Sequence, residues 1–315
     1  MAPLLETHEA QKRFIDAGGR RFEVHTAGDD SSKRLALLLH GFPEHAISWR
    51  HQLPMLAGLG YRVWAPNQRG YGLSHRPPEV ADYSLAHLVD DVGVLIDASG
   101  AEHVTLFGHD WGGAVAWAAA LTHARPQIER LVVMNLPHPQ KFAENLRGNW
   151  RQRIRSLYIL FFQIPGLPEW LLTRNNAQLV ATVFAQGSGR PDLFPQEVLE
   201  VYRENALQPG AATAMLNWYR AAVRGRGDLG DRFLGEGKLD IPTLMVWGEN
   251  DKALGKELTY GTEELVEDFT LRYLPTSHWV NQEAPEEVNR IVEAWLTGQP
   301  VPDFETDRAS GEEAT

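Results

Sequence analysis

The chain has 315 residues, 43% apolar and 23% charged, which is ordinary for a soluble globular protein and long enough for one large α/β domain or a core domain with an insertion. Its net charge of −11 argues against nucleic acid or an anionic membrane as partner. The absence of cysteine excludes thiol nucleophiles, disulfides and thiolate metal sites together.

At the start of the chain, Met1 to Arg13 lack the apolar stretch of a signal peptide, so the expected setting is the cytoplasm. Two β-like runs, Arg13–Asp16 and Arg21–His25, flank Ala17-Gly18-Gly19, a hairpin signal. Leu35–Leu39 reads as a buried strand ending at His40-Gly41, and Tyr61–Ala65 as the next. A helical pattern fills Ser84–Ser99. Val104–Phe107 is a further strand, followed by the helix formers Ala114–Leu121 and the strand Leu131–Met134.

After Pro137 the rhythm changes. From His138 to about Asp231 the patterns are helical, with no convincing strand. Strands return at Thr243–Trp247 and Thr270–Leu274, and Ala284-Pro285-Glu286-Glu287 opens a last helix reaching Leu296. No run nears the ~20 apolar residues of a membrane-spanning helix. Strands alternating with helices imply an α/β fold, with a mostly parallel eight-stranded sheet covered on both faces. The expected division is a core of residues 1–137 and 232–298, an inserted helical lid at 138–231, and an acidic, disordered tail at 299–315.

The chemical signal sits at Gly108-His109-Asp110-Trp111-Gly112-Gly113, directly after a strand. This is the spacing of a nucleophile elbow, a sharp strand-to-helix turn whose small residues flank one exposed side chain. Its apex is aspartate, not serine. A carboxylate, with a pKa near ~3.9, is already ionised at neutral pH and needs no base to activate it. It displaces a leaving group from saturated carbon and forms an ester that water then clears. The expected substrate is therefore an alkylating electrophile, such as an epoxide or alkyl halide.

A triad on such a sheet follows the order nucleophile, acid, histidine. Asp251 lies in the loop after Thr243–Trp247, and His278 in the loop after Thr270–Leu274. His278 suits the general base for the hydrolytic water, and Asp251 the group that fixes its tautomer and stabilises its cation. Backbone N–H groups of Phe42, in the loop His40–Glu44, and of Trp111 are candidates for the oxyanion hole. An epoxide oxygen leaves as an alkoxide, a base about as strong as hydroxide, so it needs a proton donor, whereas halide does not. Tyrosine serves. One lid stripe, Trp150, Ile154, Leu157, Tyr158, Phe161 and Phe162, and a second, Met215, Leu216, Tyr219, Ala222 and Val223, each carry one tyrosine in position to reach Asp110. Phe161, Trp111 and Trp279 are expected pocket walls. His109 is expected to turn from the apex and pack, and Arg151, Arg153 and Arg155 read as a solvated face.

From about Arg13 to Leu296 the chain resembles the epoxide hydrolases of the α/β-hydrolase fold. The resemblance rests on His40-Gly41-Phe42-Pro43-Glu44, Gln68-Arg69-Gly70-Tyr71-Gly72, His109-Asp110-Trp111-Gly112-Gly113, Leu136-Pro137-His138-Pro139, Asn217-Trp218-Tyr219-Arg220, Trp247-Gly248-Glu249-Asn250-Asp251 and Ser277-His278-Trp279. It implies that Asp110 is the nucleophile, His278 and Asp251 the charge pair, and Tyr158 and Tyr219 the ring-opening acids. It also implies that Glu44 lies near the histidine and helps to hold the hydrolytic water. One departure is Asn67, where relatives often carry aspartate. The implied reaction converts a small hydrophobic epoxide to a vicinal diol, with no metal or organic cofactor. Oligomeric state, monomer or homodimer, is left open. Two other readings stand beside it. A haloalkane dehalogenase shares the Asp110 elbow but usually holds halide with Trp111 and an asparagine where this chain has Phe42. A member of the fold that only binds a hydrophobic ligand would not need the full catalytic set.

Overall fold

The computed structural model describes residues 10–188, 190–225 and 237–304. Its eight strands are β1 (Ala10–Ala17), β2 (Arg20–Ala27), β3 (Arg34–Leu39), β4 (Arg62–Pro66), β5 (His103–His109), β6 (Ile128–Met134), β7 (Thr243–Gly248) and β8 (Phe269–Leu274). They form one sheet in the order β1-β2-β4-β3-β5-β6-β7-β8. The β1–β2 and β2–β4 pairings are antiparallel, and every other pairing is parallel. The β1–β2 hairpin turns on Gly18 and Gly19, at φ +55° and +74°. Two consecutive positive φ values suit the twist of a two-residue hairpin and favour glycine at both positions.

The central strands read as unbroken apolar runs because both faces are covered. Along β3, Leu35, Leu37 and Leu39 join one buried cluster with helices α2 (Leu85–Ser99) and α3 (Trp111–Leu121). Ala36 and Leu38 join the opposite cluster, against α1 (Gln52–Gly58) and α11 (Pro285–Thr297). β6 and β7 alternate in the same way. Each fully buried leucine contributes roughly 1.5–3 kcal/mol relative to exposure. The short helix α10 (Val280–Glu283) precedes α11.

Between β6 and β7 run α4 (Pro139–Gly148), α5 (Trp150–Arg155), α6 (Leu157–Phe161), α7 (Leu167–Gly187), α8 (Gln196–Leu207) and α9 (Ala211–Arg224), with no strand among the described residues. Within α7, Asn175, Asn176 and Ala177 take left-handed φ values of 52°, 57° and 54°, which breaks it into two helices. Helices α7, α8 and α9 share a core of their own, into which Ile47 and Trp279 reach from the sheet side.

Two sequence expectations are corrected. The apolar stripe from Trp150 to Phe162 is not one face. The first helix ends at Ser156 and restarts, so Trp150, Ile154 and Leu157 point outward while Tyr158, Phe161 and Phe162 turn inward. The chain after Leu296 is also not free from residue 299. Val301 and Phe304 pack on the second face of the sheet, and the Arg272 guanidinium donates to the carbonyls of Val301 and Pro302 at 3.0 and 2.8 Å. Residues 305–315 lie outside the described residues, as does 226–236 at the end of the expected lid.

Candidate active site

The position of Asp110 is forced by backbone geometry. Asp110 links β5 to α3 with φ 49° and ψ −124°, a conformation that costs a non-glycine residue about 1–3 kcal/mol and persists only where packing over-determines it. The small neighbours supply that packing. A Cβ on Gly112 would fall 2.0 Å from the Leu39 carbonyl oxygen, and one on Gly108 would fall 2.4 Å from that of Gly112. Gly41 lets the preceding loop close in the same way, since a Cβ there would meet the Asp110 Cβ at 2.5 Å. As a result the Phe42 N–H donates to Asp110 Oδ1 at 2.8 Å. Trp111 supplies the first N–H of α3, one of the donors that a helix leaves without an internal partner.

Loops at the carboxyl ends of β7 and β8 bring in the acid and the histidine, where sites form in open parallel sheets. His278 Nδ1 lies 2.7 Å from Asp251 Oδ2, and its Nε2 lies 3.5 Å from Asp110 Oδ2. Asp251 is fully enclosed and saturated. Asn135 Nδ2 donates to its Oδ2 at 2.8 Å, and the N–H groups of Ala253 and Leu254 donate to its Oδ1 at 2.8 and 2.9 Å. Burial opposes the charge on Asp251, yet the charge and hydrogen bond of His278 outweigh it and hold its carboxyl below the usual range. For Asp110 burial again opposes the charge, and the hydrogen bond and charge of His278 win, so its carboxyl too is held below the usual range. Burial disfavours the His278 cation, but Asp251 and Asp110 together push its pKa well above the ordinary value.

A cavity of about 300 Å³ opens above these groups, with Asp110, His278, Asp251, Tyr158, Tyr219, Phe42, Phe161 and Trp279 all on its wall. The two phenol rings sit 5.9 Å apart at 78°. Tyr219 is packed edge-on against Phe42 and Trp111, at 5.1 and 5.0 Å. The motif around it has a mechanical purpose. Trp218 Nε1 donates to the Arg69 carbonyl at 3.1 Å, which ties α9 to the core. The Arg220 guanidinium donates to the carbonyls of Phe162 and Ile164 at 3.0 and 3.1 Å and pairs with Glu169 at 2.7 Å. It thereby fixes the Tyr219 helix against the Tyr158 segment. Burial pushes both phenols well above 10, and the Asp110 carboxylate adds to that shift in each. They are neutral donors at physiological pH.

Two residues sit differently from the sequence reading. Glu44 does not line the cavity. It is fully buried behind the elbow, accepts from the Gly41 N–H at 3.1 Å, and lies 2.8 Å from His109 Nδ1. Burial opposes its charge, but His109 and the Gly41 N–H hold its carboxyl below the usual range. His109 does turn from the apex as expected. It also donates from Nε2 to the His278 carbonyl oxygen at 2.8 Å, so it links Glu44 to the loop that carries His278. Trp111, expected as a wall, instead packs edge-on against Trp218 and Tyr219. Asn135 was missed. Its signals are its place at the carboxyl end of β6, beside the β7 end that carries Asp251, and its φ of 43°.

Elsewhere, Glu23, His25 and His45 gather ligand atoms within 4.8 Å of one another. The donor set does not suit a metal. His45 Nδ1 accepts the Ile47 N–H at 3.2 Å, its Nε2 faces the Asn67 amide at 2.7 Å, and the Lys12 ammonium lies 3.1 Å from Glu23. A metal-bound imidazole needs a lone pair on one nitrogen and a donor on the other, and neither side of His45 offers that. Asn67 belongs to this cluster and not to the cavity over Asp110.

No helix among the described residues is long and apolar enough to cross a membrane. The profile of the alpha/beta hydrolase fold family matches residues 37–285. The chain is 38% identical over 289 residues to the AB hydrolase superfamily protein YfhM of Bacillus subtilis, covering 91% of this chain and 98% of that one. It is 36% identical over 300 residues to human epoxide hydrolase 4, covering 93% and 80%. Among solved structures, an epoxide hydrolase of Bacillus megaterium in complex with an inhibitor superposes with a TM-score of 0.82 at 28% identity, covering 90% of this chain and all of that one (100%). The chain belongs to the α/β-hydrolase fold family and, within it, to the epoxide hydrolases.

Proposed function

We propose that this protein hydrolyses small hydrophobic epoxides to vicinal diols in two covalent steps, without a cofactor, and that residues 138–231 act as the cap over its site. The observation that carries this is an ionised aspartate at the elbow sharing one cavity with a paired histidine and two neutral phenols. In the first step Asp110 Oδ2 attacks a ring carbon and the C–O bond of the epoxide breaks. Tyr158 or Tyr219 gives its proton to the departing oxygen, leaving an ester with a neighbouring hydroxyl and a phenolate. Asp110 Oδ1, already held by the Phe42 N–H at 2.8 Å, becomes the ester carbonyl.

Alkylation prepares the second step. The ester carries no charge, so the share of the His278 pKa elevation that came from Asp110 disappears. As its pKa falls, His278 releases its proton to solvent, and the neutral imidazole is a better base when a base is required. It takes a proton from water, whose oxygen attacks Cγ, and the oxyanion forms on Oδ1 between the Phe42 and Trp111 N–H groups. Each such donor is worth roughly 2.7–4 kcal/mol in the transition state. Collapse releases the diol, which takes its proton from His278, and the new carboxylic acid returns a proton to the phenolate. The sum is epoxide plus water to diol.

The cavity volume of about 300 Å³ is at the small end for ligand sites, which favours compact substrates. Diol formation should be screened across styrene oxide, cyclohexene oxide and long-chain fatty epoxides, beside halide release from a haloalkane panel. Diol from at least one epoxide supports the proposal. Halide release with no diol from any of them overturns it.

A further inference from the structure

The charge of −11 on the whole chain hides a local reversal. Between residues 145 and 187 there are five arginines, at 147, 151, 153, 155 and 174, and one acid, Glu169. Glu169 is consumed by Arg220, and Arg155 faces Glu257 at 3.5 Å. Arg147, Arg151, Arg153 and Arg174 are exposed, with no carboxylate within ion-pair distance among the described residues. The same segment is apolar on its outer side. Eight of the twelve large apolar side chains exposed among the described residues lie between 150 and 179, including Trp150 at 63%, Leu160 at 61% and Trp170 at 55%. Arg151 lies over the Trp150 ring and Arg174 over the Trp170 ring, at 5.7 and 4.7 Å.

We propose that this outer face of α5, α6 and the first part of α7 docks on an anionic lipid surface. Exposed tryptophan and leucine among unpaired arginines is the composition of a segment that lies in the headgroup region, apolar side chains sunk and cations at the phosphates. These arginines, not the net charge, decide what approaches this face, because screening confines the effect to about 10 Å. A second copy of the chain is disfavoured by the same charges. A two-fold contact lays a patch on itself, and here that sets arginines against arginines. The face is also continuous with the cavity. Leu179 is 40% exposed and lines it, and Pro168 and Leu171 line it from the same helix that presents Leu167 and Trp170 outward. If the epoxide reading holds, a lipophilic substrate dissolved in the bilayer passes to Asp110 along an apolar path.

The test uses the full, tag-free chain and sucrose-loaded vesicles without substrate, so it stands or falls apart from the epoxide chemistry. Vesicles of phosphatidylcholine alone are compared with vesicles holding roughly 30% phosphatidylglycerol, at low and high salt. The wild type should sediment with the anionic vesicles at low salt and be released at high salt. Arg151→Gln with Arg153→Gln should lower the partition coefficient about 25-fold, some fivefold per arginine. Trp150→Ser with Leu160→Ser should lower it at both salt concentrations. All four side chains are surface groups, so turnover of a dispersed epoxide should be unchanged. Absence of binding by the wild type, or equal partition by the variants, overturns the proposal. So does a dimer in solution that Trp150→Ser with Leu160→Ser dissociates, which would make the face an interface between copies.

Discussion

Replacing His278 by glutamine should separate the two halves of the reaction. The variant is expected to fold, because Asp251 keeps three donors, from Asn135, Ala253 and Leu254, when the imidazole is gone. Asp110 loses a partner that stood 3.5 Å away but keeps the Phe42 N–H at 2.8 Å. It remains a carboxylate at neutral pH, and both phenols are untouched, so ring opening should proceed within about tenfold of wild type, the effect of some 1.4 kcal/mol. Hydrolysis loses its general base and should slow by about 10²–10⁴-fold. The ester then accumulates. Rapid-quench mass spectrometry of the protein with styrene oxide should show one adduct per chain, on the peptide holding Asp110, with slow steady-state diol release. Turnover near the wild-type rate, or its loss with no adduct, would refute the division of labour assigned to Asp110 and His278.

Other consequences are read in simpler assays. Tyr158→Phe and Tyr219→Phe should each slow ring opening by about 10²-fold, and the double change should nearly abolish it while circular dichroism is unchanged. Unaltered alkylation in the double variant would remove the phenols from the chemistry. The pH profile has a definite sign. The Asp110 pKa is lowered, so its share of stability and its nucleophilicity are complete above the ordinary value near about 3.9 and lost only as pH falls through the lowered one. The His278 pKa is raised, so its share of stability is complete below about 6.5 and lost as pH rises through the raised value. The phenols titrate only above about 10. Stopped-flow alkylation should therefore be flat from about pH 5 to 9 while ester hydrolysis climbs with pH; alkylation that halves near pH 6 contradicts this. Glu44→Gln replaces a fully buried carboxylate that accepts the Gly41 N–H and faces His109, and should destabilise the fold by about 1–3 kcal/mol in urea melts. A change under ~0.5 kcal/mol would mean that the buried Glu44 carboxylate does not hold the loop behind the elbow.

The sheet and the positions of Asp110, Asp251 and His278 were legible because their signals are local. Each lies within a few residues of a strand end, and a short apolar run stopped by glycine or a polar loop marks that end. The turn at Asp110 was readable for the same reason, since Gly108, Gly112 and Gly113 are required by contacts within the turn itself and with the adjacent Leu39 strand. What stayed hidden depends on contacts distant in sequence. Glu44 was expected beside the hydrolytic water but is partnered by His109, 65 positions away, which no periodicity exposes. Asn135 reaches Asp251 only because β6 and β7 pair across the inserted helices. The split of the Trp150 stripe hinges on a helix break at Ser156 that alters no hydropathy pattern. The ordering of residues 299–304 depends on the apolar pocket that Phe304 finds on the far face.

The most direct test of a covalent aspartyl ester is a single turnover in water enriched in heavy oxygen, with enzyme in excess over epoxide. The diol should contain no label, because its new oxygen comes from Asp110 Oδ2, and the label should appear in the Asp110 carboxylate of the recovered protein. Labelled diol in that first turnover, with an unlabelled protein, would mean that water attacks the epoxide directly and that Asp110 is not the nucleophile.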